Sequence, residues 1–142
     1  MAGGQAIDLD SVCKSLTLPE LEFMHIHKTG ALIRAAVMLG AHCGSASLTQ
    51  LAKLDRFGKL IGLAFQVVDD VLDCEADTAT LGKTAGKDED HDKPTYVTLL
   101  GIQAARDMAR QLHRDALENL AEFGDAAQRL RELADFIVLR KF

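Results

Sequence analysis

Residues 62–73, GLAFQVVDDVLD, constrain the fold of this chain more than any other stretch. Apolar side chains recur there at helical spacing, while Gln66, Asp69, Asp70 and Asp73 stand at i, i+3, i+4 and i+7. An amide and three carboxylates therefore share an arc of roughly 100° on an α-helix. Like charges at that spacing destabilise a helix by roughly 0.2–0.5 kcal/mol per pair, and by more where Phe65, Val68 and Leu72 desolvate them. Such a helix needs neighbours for its apolar side chains and a cation for its oxygens. Carboxylates are hard ligands suited to Mg²⁺ or Mn²⁺, and Mg²⁺ commonly takes one or two of them together with phosphate oxygens, so the pattern predicts a metal-bridged phosphate site. The alternative is a solvated helix end. Against it, the cluster directly follows apolar residues, and a loop rich in Lys and Gly comes next, as a phosphate lid requires.

The rest of the chain reads as helices around that segment. Thr17-Leu18-Pro19-Glu20 has the form of a capping box with an early proline, and Leu21, Met24, Leu32, Ile33, Ala36 and Val37 follow at helical spacing. These predict a helix from about Pro19 to Leu39. Ser45 or Ser47 starts a second helix, from about Leu48 to Cys74, in which Gly58 and Gly62 weaken propensity and so predict close packing against a neighbour. From Glu75 to Lys93 the pattern gives way to small and charged residues with Gly82 and Gly86, which predicts a long loop. After Pro94 a short segment leads to a helix from about Gly101 to Phe123, with Ile102, Ala105, Ala109, Leu112, Ala116 and Leu120 on one face and Gly124 as terminator. Asp125 is expected to cap a last helix carrying Leu130, Leu133, Ala134, Ile137 and Val138. No alternating pattern, internal repeat or heptad run is present, so the predicted fold is an all-α helical bundle. A chain of 142 residues with 48% hydrophobic content is enough for one domain with a core.

Several function classes are disfavoured. A net charge of −5 with both signs scattered offers no field for nucleic acid and no polybasic patch for lipid. No apolar run approaches the ~18 residues of a membrane span, and the first residues carry neither a basic nor an apolar leader segment, so a soluble, cytoplasmic protein is expected. Cys13, Cys43 and Cys74 form an odd set without a C-x-x-C pair and read as reduced, buried apolar residues. His25, His27, His42, His91 and His113 lack zinc spacing and read as surface residues or as neighbours of a site. The acidic run 88–92 lacks the glycine and final glutamate of an EF-hand, and no nucleophile stands beside a base.

Further candidates carry positive charge or hydrogen-bonding groups. Gly82-Lys83, Gly86-Lys87 and Lys93 offer backbone amides and ammonium groups that could close over a polyphosphate, or they are solvated loop residues. Lys28-Thr29-Gly30 interrupts the first long helix and could kink it while presenting donors to an anion; a solvated lysine is the alternative. Gln5 and Asp8, one turn apart behind Gly3-Gly4, could share a face in a polar interior or cap the chain start.

Residues 3–9 (GGQAIDL), 27–34 (HKTGALIR), 65–73, 77–83 and 93–96 (KPTY), in that order and spacing, resemble the C-terminal half of trans-isoprenyl diphosphate synthases, closest to the bacterial farnesyl diphosphate synthase (geranyltranstransferase) branch. The resemblance covers essentially the whole chain and about half of a typical family member. It implies a helical bundle around a deep cavity with two Asp-rich motifs facing each other, of which Asp69, Asp70 and Asp73 match the second. By resemblance, Asp69 binds Mg²⁺ directly, while Asp70, Asp73 and Asp88 hold metal-bound water or ligate more weakly. Lys28, Lys83 and Lys93 match lysines that contact the allylic diphosphate, Thr29 and Gln66 match polar groups beside it, and Gln5 and Asp8 match a pair lining the cavity behind them. The implied reaction is Mg²⁺-dependent head-to-tail condensation of an allylic diphosphate with isopentenyl diphosphate to a short-chain product, farnesyl diphosphate. Lys28, Asp69 and Lys83 are then the residues that bear on the leaving group.

The first Asp-rich motif and the basic residues that grip isopentenyl diphosphate have no match in these 142 residues. The chain is therefore expected to be inactive alone, pending a missing N-terminal half, and to self-associate through apolar surface that half would cover. A non-catalytic partner subunit of a complete synthase is the alternative, although no carboxylate or lysine position is degenerate. A terpene cyclase is disfavoured by the lack of an N-S-E-type triad and by only one Tyr, six Phe and no Trp.

Overall fold

A computed structural model describes residues 2–10, 16–81 and 94–140, with the side chains of 77–81 excepted, and every regular element among them is helical. The elements are α1 (Ala2–Asp10), α2 (Leu18–His25), a π-helical turn (Ile26–Gly30), α3 (Ala31–His42), α4 (Leu48–Leu81), α5 (Tyr96–Leu100), α6 (Ile102–Glu118), a 3₁₀ segment (Ala121–Ala127) and α7 (Gln128–Leu139). Among the described residues no helix is long and apolar enough to cross a membrane.

The long α4 is the axis of the bundle. Leu54, Phe57, Ile61, Ala64, Val68 and Val71 recur at steps of three and four, and each is buried. Helix α6 lies along this seam through Ala105, Ala109 and Ala116, whose small side chains let the two backbones approach. At one end Leu54, Phe57 and Ile61 pack with Leu120, Ala127, Ala134 and Ile137; at the other Val67, Val68 and Val71 pack with Leu21, Met24 and Tyr96. The opposite face of α4 meets the π turn and α3 at glycines. A Cβ on Gly62 would lie 2.9 Å from the Gly30 Cα and one on Gly58 3.1 Å from the Arg34 Cα, so the close packing expected from Gly58 and Gly62 is present.

Helix starts follow the local signals. The Thr17 amide and hydroxyl donate to Glu20 Oε2 at 2.8 and 2.7 Å, and Ser47 rather than Ser45 starts α4, its Oγ accepting from the Gln50 amide at 3.2 Å. Other expectations need correction. The helix expected over about Pro19–Leu39 is interrupted at Lys28-Thr29-Gly30 as expected, by π geometry over Ile26–Gly30, but runs on past Leu39 to His42. Helix α4 passes Cys74 and ends at Leu81, so the first seven residues assigned to a loop are helical. Helix α6 stops at Glu118, where the Asn119 side chain takes up the Asp115 carbonyl at 2.7 Å. Asp125 is not a cap: it lies within the 3₁₀ segment, and Ala127 occupies the N-cap position of α7. Arg131 instead ties that segment down, donating to the carbonyls of Gly124 and Leu120 at 2.7 and 2.8 Å. Cys43 is exposed and Cys74 half-buried, so neither is the core thiol expected; Cys13 lies outside the described residues. No side chain of α3 is fully buried, and Leu9, Phe23, Ile26, Leu32 and Leu39 on α1–α3 stand exposed.

Candidate functional site

The carboxylate arc of α4 faces a cavity of about 410 Å³ bounded by α1, α2, the π turn, α4 and the start of α5. Asp8, Lys28, Thr29, Gln66, Asp69, Asp70 and Asp73 all line it. The π turn explains how Lys28 and Thr29 arrive there. Widening one turn inserts a residue into the helical register and re-aims the side chains it carries, and Gly30 within it gives the clearance that lets α4 approach at Gly62. Gly4 has a matching role, since a Cβ there would lie 2.2 Å from the Lys28 backbone nitrogen. Helix α1 is thus seated directly on the turn, and Asp8 accepts a hydrogen bond from Lys28 Nζ at 2.6 Å.

The acidic groups are held individually. Asp70 Oδ2 accepts from the Tyr96 backbone amide at 2.7 Å, which fastens α5 to α4. Burial, and then the neighbouring Asp73 and Asp69, push the Asp70 carboxyl up to about 6 despite that bond. Asp69 is likewise raised by burial, opposed by the Arg140 guanidinium that pairs with its Oδ1. Arg140 stacks over the Phe65 ring, 4.5 Å from its centroid. Among the described residues no three His, Cys, Asp or Glu side chains converge closely enough to hold a cation unaided. The donor set still fits Mg²⁺: hard oxygens, crowded and partly desolvated, on one wall of a cavity that leaves room for further ligands from an anion.

Of the remaining sequence-predicted residues, Gln5 is exposed and does not line the cavity, so it does not share the polar interior reached by Asp8. Lys83, Asp88 and Lys93 lie outside the described residues, as does His91. Two contributors, Tyr96 and Arg140, were missed from sequence, and for a third the second of two readings holds. His25, read as a surface residue or a neighbour of the site, is buried in the cavity wall, its Nδ1 2.7 Å from Gln66 Oε1. Tyr96 is wholly buried and stacks on His25, with ring centroids 5.5 Å apart. Arg140 reaches Asp69 across 71 positions of chain. For His25 a signal existed, since it stands one helical turn before Lys28 and Thr29. Arg140 had none.

The family model described as polyprenyl synthetase matches residues 1–134. The farnesyl diphosphate synthase of Escherichia coli K12 is 51% identical over 144 residues, covering 99% of this chain and 48% of that protein, and the match falls in the C-terminal half. Among solved structures, an FPP/GFPP synthase from Zymomonas mobilis superposes with a TM-score of 0.81 at 35% identity, over 97% of this chain and 45% of that one. A Helicobacter pylori geranyltransferase, solved with magnesium and isoprenyl diphosphate, superposes with a TM-score of 0.69 at 34% identity, over 98% and 44%. The chain spans about half the length of these relatives. With the family model covering nearly every residue, and with the helical scaffold superposing on those synthases, the chain belongs to the polyprenyl synthetase family.

Proposed function

We propose that these 142 residues form the C-terminal half of a short-chain prenyltransferase domain, one that condenses an allylic diphosphate with isopentenyl diphosphate, with farnesyl diphosphate as product. The observation that carries this is the convergence of Asp69, Asp70 and Asp73 with Lys28, Thr29 and Gln66 on one cavity. Asp69, Asp70 and Asp73 would hold Mg²⁺, with Mn²⁺ as a substitute, where the ion would neutralise charge developing on a diphosphate leaving group. Lys28, only 32% exposed and steered by Asp8, places an ammonium group at the same mouth. Thr29 and Gln66 add donors that orient phosphate oxygens. Met24 and Phe65 supply apolar wall that keeps water from an allylic cation. Lys83 and Lys93 are assigned to the diphosphate, and Asp88 to metal-bound water, on motif alone. An odd number of cysteines with no C-x-x-C spacing favours the reducing cytoplasm, and the exposed apolar side chains of α1–α3 favour self-association.

The test is calorimetry of the 142-residue chain with Mg²⁺ and inorganic pyrophosphate. Uptake that requires the ion, and that Asp69→Ala abolishes while thermal unfolding stays cooperative, is the expected result. Absence of uptake by the unaltered chain, or equal uptake by the variant, overturns the reading. With one Asp-rich wall only, the chain alone is expected not to turn over geranyl and isopentenyl diphosphates, and turnover would refute that expectation.

A further inference from the structure

Two buried residues beside the cavity, His25 and Tyr96, have no part in the roles above. His25 is 8% exposed and Tyr96 0%. The Gln66 carboxamide lies between His25 and Asp69, with Oε1 2.7 Å from His25 Nδ1 and Nε2 3.4 Å from Asp69 Oδ2. The partners decide the direction of each contact. A carboxylate only accepts, so the amide must turn its NH₂ toward Asp69, which leaves the carbonyl facing His25. A carbonyl also only accepts, so the hydrogen must sit on Nδ1. His25 Nε2 is buried without a hydrogen-bond partner among the described residues, so the contact of Nδ1 with Gln66 is what orients the ring. Burial also pushes His25 below the ordinary histidine range, which favours the neutral ring this arrangement needs.

We propose that His25 is a positioning residue: as the Nδ1–H tautomer, stacked on Tyr96, it locks the Gln66 carboxamide so that its NH₂ group is preset toward Asp69 and an anion in the cavity. This deepens, and rests on, the diphosphate reading of that cavity. Without the lock the carboxamide is free to turn its oxygen toward the carboxylates, and the donor it offers a diphosphate is lost for part of the time. Tyr96 serves both ends of the arrangement, supporting the imidazole with its ring and Asp70 with its amide.

The test compares two substitutions whose order a packing role would reverse. His25→Phe keeps a ring against Tyr96 and removes the donor; His25→Asn removes the ring and keeps an N–H where Nδ1–H stood. With Mg²⁺ and inorganic pyrophosphate in calorimetry, His25→Phe is expected to bind about five- to tenfold more weakly, the size of one net hydrogen bond, and His25→Asn within about threefold of the unaltered chain. In a Gln66→Met background His25→Phe should have no further effect. The reverse order, or an equal loss in both backgrounds, overturns the proposal. Nitrogen NMR of the unaltered chain reads the tautomer without any ligand, which covers the case in which a variant fails to fold. An Nε2–H ring overturns the lock whatever the binding result. An Nδ1–H ring in a chain that takes up no pyrophosphate overturns instead the diphosphate reading and the positioning role built on it.

Discussion

Replacing Asp70 by asparagine separates what this carboxylate contributes to the fold from what it contributes to cation binding. Its carboxyl is raised from 3.8 to about 6, chiefly by burial. The folded chain therefore binds more protons than the unfolded chain between those values. The contribution of Asp70 to stability is fully present below about pH 4, falls as the pH rises through about 6 and is level beyond. At about 1.36 kcal/mol per unit the rise corresponds to about 3 kcal/mol, which solvent contact at the cavity mouth reduces to about 1–2 kcal/mol. Asparagine keeps a carbonyl oxygen for the Tyr96 amide, now 2.7 Å from Asp70 Oδ2, and removes the charge. In urea denaturation with a chelator present, Asp70→Asn should be more stable than the unaltered chain by about 1–2 kcal/mol near pH 7.5 and by much less near pH 4. With Mg²⁺ and pyrophosphate added near pH 7.5, the order should invert, because ligand uptake stabilises only the chain that binds it. An asparagine variant that is destabilised near pH 7.5 in chelator, or that gains equally at both pH values, would refute the reasoning.

Three further outcomes follow from the packing. Gly62→Ala drives a Cβ to 2.9 Å from the Gly30 Cα, backbone that cannot swing aside, and should cost about 1–3 kcal/mol in denaturant while weakening pyrophosphate uptake, since the π turn carrying Lys28 and Thr29 is displaced. Arg140→Gln removes the guanidinium that competes for Asp69, so calorimetry without pyrophosphate should show Mg²⁺ bound several-fold more tightly; unchanged affinity would mean Asp69 is not a ligand. Arg131→Ala leaves the carbonyls of Leu120 and Gly124 without their side-chain partner and should lower stability by about 1–2 kcal/mol, measured by urea unfolding.

The helical character of the chain, the Thr17 start, the close contacts at Gly58 and Gly62, and the shared arc of Gln66, Asp69, Asp70 and Asp73 were legible in the sequence. Each depends on residues within a turn or two of one another, where 3.6-residue periodicity, capping chemistry and glycine spacing act directly. Element ends were read less well. The continuation of α4 to Leu81 runs through residues of weak apolar pattern, and the end of α6 at Glu118 precedes the glycine expected to stop it.

What the sequence by itself determined is the shared arc of Gln66, Asp69, Asp70 and Asp73, and with it that α4 must turn its carboxylates to one side. Only the tertiary structure decided how those groups are held. His25 meets Gln66 across 41 positions, Tyr96 holds Asp70 across 26, and Arg140 pairs with Asp69 across 71. Arg140 bears no local mark, and the position of His25 beside Lys28 and Thr29 does not name Gln66 as its partner, because such contacts arise only when separate helices dock on α4. The docking is governed by glycine clearance and by the burial of small side chains along the whole length of the bundle.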